Sequence, residues 1–165
     1  MEVDIHDGGL RLDAPKWRSF WASFVHLLRN AVDHGLEQRE ERTLRGKPAA
    51  GKVSLVTRIE GSELIVQIAD DGRGIDWSAV AAKAAQLGLP HAGDKDLLEA
   101  LFANGVSTKE QANEISGRGI GMGAIRSECA ARGGRMEVES HKEKGTVVTF
   151  RFPSAAAGVA RPLAA

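Results

Sequence analysis

Between Trp17 and Gly35 the chain spells one helix with two unlike faces. At about 100° per residue, Trp17, Phe20, Trp21, Phe24, Leu28 and Ala31 gather on one side, and His26, Arg29, Asn30, Asp33 and His34 on the other. The first set is the apolar stripe that a core-facing helix requires. The second places two imidazoles, a guanidinium, a carboxamide and a carboxylate within three turns. A purely solvated face more usually carries Lys and Glu. This set holds groups that bind Mg²⁺ and phosphate, so the helix points to a nucleotide site on a packed scaffold.

The rest of the composition narrows the class. At 165 residues the chain is long enough for one domain with a real core. Lys plus Arg is 22 and Asp plus Glu is 22, which argues against bulk nucleic acid as a partner. Cys129 is the single cysteine, so no disulfide forms within the chain, and a reducing cytoplasm is expected. The acidic N-terminus lacks an apolar signal core. No apolar run approaches the roughly 20 residues that span a bilayer.

The element order follows from periodicity and breakers. Residues 3–12 suggest a short strand pair around Gly8 and Gly9. Asp13 and Pro15 open the long helix, which runs to about His34. Glu37–Arg42 continues as another helical turn, and residues 46–51 form a loop. Val53–Ile59 and Glu63–Ala69 read as a hairpin. Ser78–Leu87 is helical, residues 91–116 are polar and mixed with a helix at about Asp96–Phe102, and Gly121–Arg132 is helical. Arg135–Ser140 and Gly145–Phe152 read as a second hairpin. Hairpins imply antiparallel pairing, which argues against a parallel Rossmann sheet. The expectation is a mixed, largely antiparallel sheet with helices on one face. The Ala-rich tail, 154–165, is expected to be frayed.

Four segments carry chemistry. Asp70-Asp71-Gly72-Arg73-Gly74-Ile75 leaves a strand, where a carboxylate can accept a hydrogen bond from an exocyclic amine and glycines let a flat ligand approach the backbone. The same letters also suit an ordinary hairpin-exit turn. Ser116-Gly117-Arg118-Gly119-Ile120-Gly121-Met122-Gly123 alternates glycines up to a helix start, which suits an anion. It is neither a Rossmann fingerprint nor a Walker A loop, and a flexible hinge would read the same way. Asn30 offers a neutral oxygen to a Mg²⁺ that also holds phosphates. Zinc is disfavoured, since no HExxH pair exists. Leu101–Thr108 reads as a lid loop beside the ligand, or as plain surface.

These elements, in this order, resemble the nucleotide-binding domain of the GHKL superfamily (gyrase, Hsp90, histidine kinases, MutL), over roughly residues 20–153. Phe24–Gly35 is similar to its N box, Asp70–Gly74 to its D-x-G-x-G motif, Leu101–Thr108 to its F box, Gly117–Gly121 to its second glycine motif and Lys144-Gly145-Thr146 to its last. Within the superfamily the segments HLLRNAVDHG, ERTLRGKPAAGKV, DDGRGID and SGRGIGM most resemble the catalytic domain of chemotaxis-type histidine kinases (CheA). The resemblance implies an α/β (α+β) two-layer sandwich of the Bergerat type, one domain over 1–165 with its core at about 13–153 and a nucleotide lid at about 91–121. It implies ATP and Mg²⁺ as ligands. Asn30 would hold Mg²⁺, and Asp70 the adenine amino group, with Gly72, Gly74 and Ile75 beside the base and Thr146 near Asp70. Ser116, Gly117, Arg118, Gly119, Gly121 and Met122 would wrap the phosphates, and Arg29, Asp33 and His34 would lie against the nucleotide. His26 stands where gyrase-type ATPases place a catalytic Glu, which favours transfer over hydrolysis.

The chain departs from the chemotaxis pattern at Asn104 and Val106, at Gly123 (usually Asp) and at Glu143 (usually Gly). His6, His91 and His141 have no substrate-like context, and no dimerisation or phosphotransfer helix is evident. The phosphoacceptor histidine is therefore expected on another domain or protein, with a response regulator downstream. The other classes weighed are a non-catalytic ATP-sensing module, a GHKL ATPase, and a serine kinase of the anti-sigma type, against which the insertion LEQREERTLRGKPAAG argues.

Overall fold

The computed structural model describes residues 1–103 and 122–158. Among these, five strands form one sheet: β1 (Glu2–His6), β2 (Lys52–Glu60), β3 (Glu63–Asp70), β4 (Arg135–His141) and β5 (Gly145–Pro153), in the order β1-β2-β3-β5-β4. The β2–β3 and β4–β5 pairs are the two expected hairpins, and β3 and β5 join them antiparallel. The sheet is mixed because β1 runs parallel to β2, with Glu2 opposite Lys52 and His6 opposite Val56.

The expected strand pair within residues 3–12 does not form. Gly8 and Gly9 both adopt positive φ (58° and 65°) and turn the chain off the sheet edge. Leu10 and Leu12 then pack against the main core instead of pairing back onto β1.

Helix α1 (Ala14–Asn30) carries Pro15 in its first turn and buries Trp17, Phe20, Phe24 and Leu27. Leu27 rather than Leu28 completes the stripe, and Trp21 and Leu28 stay at its half-buried flank. The stripe packs across the sheet face formed by Leu64, Val66, Ile68, Phe150 and Phe152. Trp17 meets Phe152 edge-on at 4.8 Å between ring centroids, and Phe20 meets Phe150 the same way at 5.2 Å. Each such side chain contributes about 1.5–3 kcal/mol by leaving water, so this aromatic seam is a large contribution to stability.

Beyond α1 the backbone widens into a π turn, Ala31–Gly35, closed by the Leu36 N–H donating to the Ala31 carbonyl at 2.9 Å. Helices α2 (Arg39–Leu44), α3 (Trp77–Gln86), α4 (Asp94–Phe102), α5 (Met122–Ala130) and α6 (Ser154–Ala157) complete the described elements. Val80 and Ala84 of α3 and Ala100 of α4 form a second, smaller core with Leu97 and Leu101. The first part of the expected lid is thus a packed amphipathic helix. Arg126 of α5 grips Glu99 of α4 with two hydrogen bonds of 2.7 Å and stacks 4.6 Å over the Phe102 ring. The start of the expected frayed tail is ordered: α6 follows β5 directly, and the Ser154 N–H donates to the Ser62 carbonyl at 2.8 Å. None of the described helices is long and apolar enough to cross a membrane.

Candidate functional site

The sheet register assembles the site's floor. Val53, Asp70, Thr146 and Ser140 are consecutive partners across β2, β3, β5 and β4. Paired residues share a face, and Val53 is buried on the helix side. Asp70 therefore points toward the helix layer from the last position of β3. Its Oδ1 accepts the Gly72 N–H at 2.9 Å, and the Thr146 N–H also supports the carboxylate. Burial still pushes the Asp70 carboxyl above its ordinary value, and the nearby Asp71 and Glu37 charges add to the rise.

The end of the long helix closes on this carboxylate. A side chain at Gly35 would meet Asp70 Oδ1 at 3.4 Å, and one at Gly72 would overlap the Gly35 carbonyl. The Arg73 N–H donates to that same carbonyl at 2.9 Å. The π turn thus places Gly35 against Asp70, and π turns recur at functional sites. His26 is half-buried, while Arg29, Asn30, Asp33 and His34 are exposed on the helix that ends there.

The last glycine motif locks the other side. Gly145 (φ 93°) runs against the Asp70 carbonyl, and Gly74 (φ 73°) against the His141 carbonyl, so neither position has room for a Cβ. Ser140 Oγ accepts the Ile75 N–H at 2.8 Å, and the Trp77 indole N–H donates to the Ser140 carbonyl at 3.3 Å. The loop at 70–75 is therefore held between Gly35 and the β4–β5 turn. The arrangement offers one half-buried carboxylate, closely packed by glycines, beside an exposed polar helix face.

A family model described as "Histidine kinase-, DNA gyrase B-, and HSP90-like ATPase" matches residues 22–156. The chain belongs to this family. The gliding motility regulatory protein of Myxococcus xanthus is 36% identical over 164 residues, covering 94% of this chain and 21% of that protein. The chemotaxis protein CheA of Treponema pallidum is 37% identical over 133 residues, covering 78% of this chain and 16% of that one. The chain thus spans about a fifth of the length of these relatives. A structure of full-length ShkA in complex with AMPPNP matches the fold with a TM-score of 0.55 at 21% identity, covering 99% of this chain and 26% of that one. Within the ATPase family, this chain is similar to one stretch of chemotaxis CheA proteins and of the gliding motility regulatory protein.

Set against the family motifs, the first and last are brought together here. Ser116, Gly117, Arg118, Gly119 and Gly121 lie outside the described residues, as do Asn104 and Val106. Met122 begins α5 and packs against the main core. Gly123, the departure from Asp, sits so close to the Phe102 carbonyl that a Cβ would stand 2.6 Å from it, so the α4–α5 contact leaves no space for a side chain.

Glu143, the departure from Gly, keeps the backbone of the residue it replaces. Its φ is 64°, the one positive value among described non-glycine residues. Its N–H donates to the Arg73 carbonyl at 2.8 Å, and its carboxylate pairs with Arg45 at 2.6 Å. Left-handed backbone costs an L-residue about 1–2 kcal/mol, while an exposed ion pair returns about 0–1 kcal/mol. Glu143→Gly is therefore expected to raise stability by about 0.5–1 kcal/mol in urea unfolding, and Glu143→Ala to give no such gain.

One group of residues was not anticipated. Glu37 and Arg42 are buried, and they join Lys47 and Asp71 in a charge network behind the 70–75 loop. Arg42 donates to Pro48 O at 2.7 Å, to Glu37 Oε2 at 2.9 Å and to Asp71 Oδ2 at 2.7 Å. Lys47 Nζ donates to Glu37 Oε1, Asp71 O and Gly72 O at 2.7, 2.9 and 2.7 Å. Asp71 Oδ1 takes the Lys52 N–H at 2.8 Å. Burial alone would raise the Glu37 carboxyl, but the Lys47 hydrogen bond, its own backbone N–H and the Arg42 charge bring it below its ordinary value. A signal was present in the sequence: Arg39–Leu44 has one large apolar residue, Leu44, so this helix has almost no apolar stripe with which to attach, and Leu44 is itself exposed. Its attachment has to be ionic.

Proposed function

We propose that this domain binds ATP with Mg²⁺ at the mouth around Asp70 and transfers the γ-phosphate to a histidine on a separate domain or protein, which then serves a response regulator. The observation that carries the reading is the Asp70 carboxylate. It is half-buried, it is held by two backbone N–H groups, and Gly35, Gly72 and Gly145 pack around it without side chains. A base with an exocyclic amine satisfies that carboxylate.

The phosphates then extend along the exposed face of the long helix toward Asn30. A single neutral carboxamide fits a Mg²⁺ whose remaining ligands are phosphate oxygens and water, and fits poorly a metal that needs a protein cage. The metal supplies charge neutralisation for the phosphates. Arg29 and His34 offer further donors to phosphate oxygens, Asp33 lies on the same face, and Ser116 to Met122 is the segment proposed to close over them. The whole reading places the domain in the cytoplasm.

The chemistry on this side of the reaction is positioning and charge stabilisation. An incoming neutral imidazole has a free lone pair and needs no base to remove a proton before attack. His26, half-buried one turn before Asn30, orients rather than deprotonates. The test is incubation with γ-labelled ATP and an isolated histidine phosphotransfer domain. Acid-labile label on the acceptor is expected. Binding without transfer to any histidine acceptor would instead identify a nucleotide-sensing module.

The pH dependence follows from two opposite shifts. The Asp70 value is raised, so the folded protein takes up this proton more readily than the unfolded chain. Acidification through that raised value neutralises the acceptor without removing stability. The Glu37 value is lowered, so its contribution is complete above the ordinary glutamate value and is lost only as pH falls through the lower folded one. ATP affinity is therefore expected to fall on acidification before the fold does. Parallel calorimetric and circular-dichroism titrations check the order.

A further inference from the structure

Resting on the reading of Asp70 as the base-binding carboxylate, we propose that Ser140 is a specificity-determining residue. It orients the Thr146 hydroxyl so that the site selects a base carrying an amine over one carrying a carbonyl.

The argument is a count of hydrogens. A serine hydroxyl has one hydrogen and two lone pairs. Ser140 Oγ accepts the Ile75 N–H at 2.8 Å, which uses one lone pair. It also lies 3.1 Å from the Gly145 carbonyl, an acceptor only, and its single hydrogen goes there. Either oxygen could donate in the third contact, 2.9 Å to Thr146 Oγ1, but only donation by Thr146 satisfies all three contacts at once. The Thr146 hydrogen is spent away from Asp70, and its lone pairs are what remain.

Thr146 and Asp70 are direct cross-strand partners on one face of the sheet. The wall beside the base therefore presents the Asp70 carboxylate and the Thr146 lone pairs, with no hydroxyl donor between them. An exocyclic amine brings hydrogens to this wall. A 6-oxo base brings an acceptor against acceptors, and unpaired polar contacts of this kind are what discriminate strongly between ligands. Ser140 lies two strands away from Asp70 and acts through Thr146, so it positions rather than binds.

The experiment compares ADP with inosine diphosphate by calorimetric titration of the whole chain. Wild type is expected to bind ADP well and inosine diphosphate poorly. Ser140→Ala frees the Thr146 hydroxyl to turn and donate, and should shrink the ratio of the two affinities by roughly threefold to tenfold. Ser140→Thr keeps a hydroxyl and should restore the ratio. If Ser140→Ala does not fold, because the Ile75 N–H is left unpaired, Thr146→Val removes the oriented hydroxyl with the Ile75 and Gly145 contacts intact and should shrink the ratio too. Equal weakening of both nucleotides, with the ratio unchanged, would show a merely structural serine and overturn the proposal. Wild type that binds neither nucleotide removes the reading of Asp70 itself, a distinct failure.

Discussion

Arg42→Ala is expected to lower the stability of the domain by about 3–5 kcal/mol, the cost of breaking a buried ion pair from one side. The guanidinium is enclosed by Pro48 O, Glu37 and Asp71. Its removal leaves the buried Glu37 with Lys47 alone, and strips a donor from the Pro48 carbonyl and from Asp71. Arg42→Lys recovers little, because an ammonium cannot span three acceptors in a plane. With domain stabilities of about 5–15 kcal/mol, a loss of this size is a large fraction of the total. For a chain of this length it lowers Tm by roughly 6–20 °C. Urea unfolding measures it, and a change below about 1 kcal/mol would mean that the network only decorates the loop. Nucleotide affinity should fall as well, since Lys47 and Arg42 hold the Asp71 and Gly72 carbonyls that set the path of the 70–75 loop.

Asn30→Asp separates chemistry from folding. Asn30 is exposed at the end of α1, so the substitution should change stability by no more than about 0.5 kcal/mol. Its expected effect on phosphotransfer is near-complete loss. A carboxylate about 4 Å from a phosphate at a protein surface is repelled by about 4 kcal/mol, which corresponds to a rate reduction on the order of a thousandfold. Initial rates of acceptor labelling at ATP well below KM measure it as a loss in kcat/KM. Retained transfer with an unchanged melting curve would remove Asn30 from the site.

Much of this was legible in the sequence, for physical reasons that differ by element. The helix stripe from Trp17 to Ala31 shows because a helix buries every third or fourth residue, and both hairpins show because their partners are adjacent in the chain. The parallel strand Glu2–His6 reads from sequence as half of a local pair. Its alternation is the same whichever partner it finds, and that partner, Lys52–Val56, lies about 50 residues on. The π turn at Ala31–Gly35 leaves no periodic trace, since it is set by the approach of Gly35 to Asp70 and Gly72. The burial of Glu37 and Arg42 leaves no trace in the helical turn Glu37–Arg42 or the loop at 46–51, because charged residues are rarely buried unless paired, and the pairing partner, Asp71, is supplied by a distant loop. Glu143 shows the converse. The substitution was visible in the sequence, but only the φ of 64° reveals that the turn kept a glycine's shape around it.

The central claim is that Asp70 is the acceptor that holds ATP in this domain. Isothermal titration with ATP and Mg²⁺ tests it on wild type and Asp70→Asn. The amide fills the same space but replaces the charged acceptor, which is worth about 1.5–3 kcal/mol to a hydrogen bond. Saturable binding by wild type, weakened roughly tenfold to a hundredfold or more in the variant, is the result the account predicts. Equal affinity in the two proteins would contradict it.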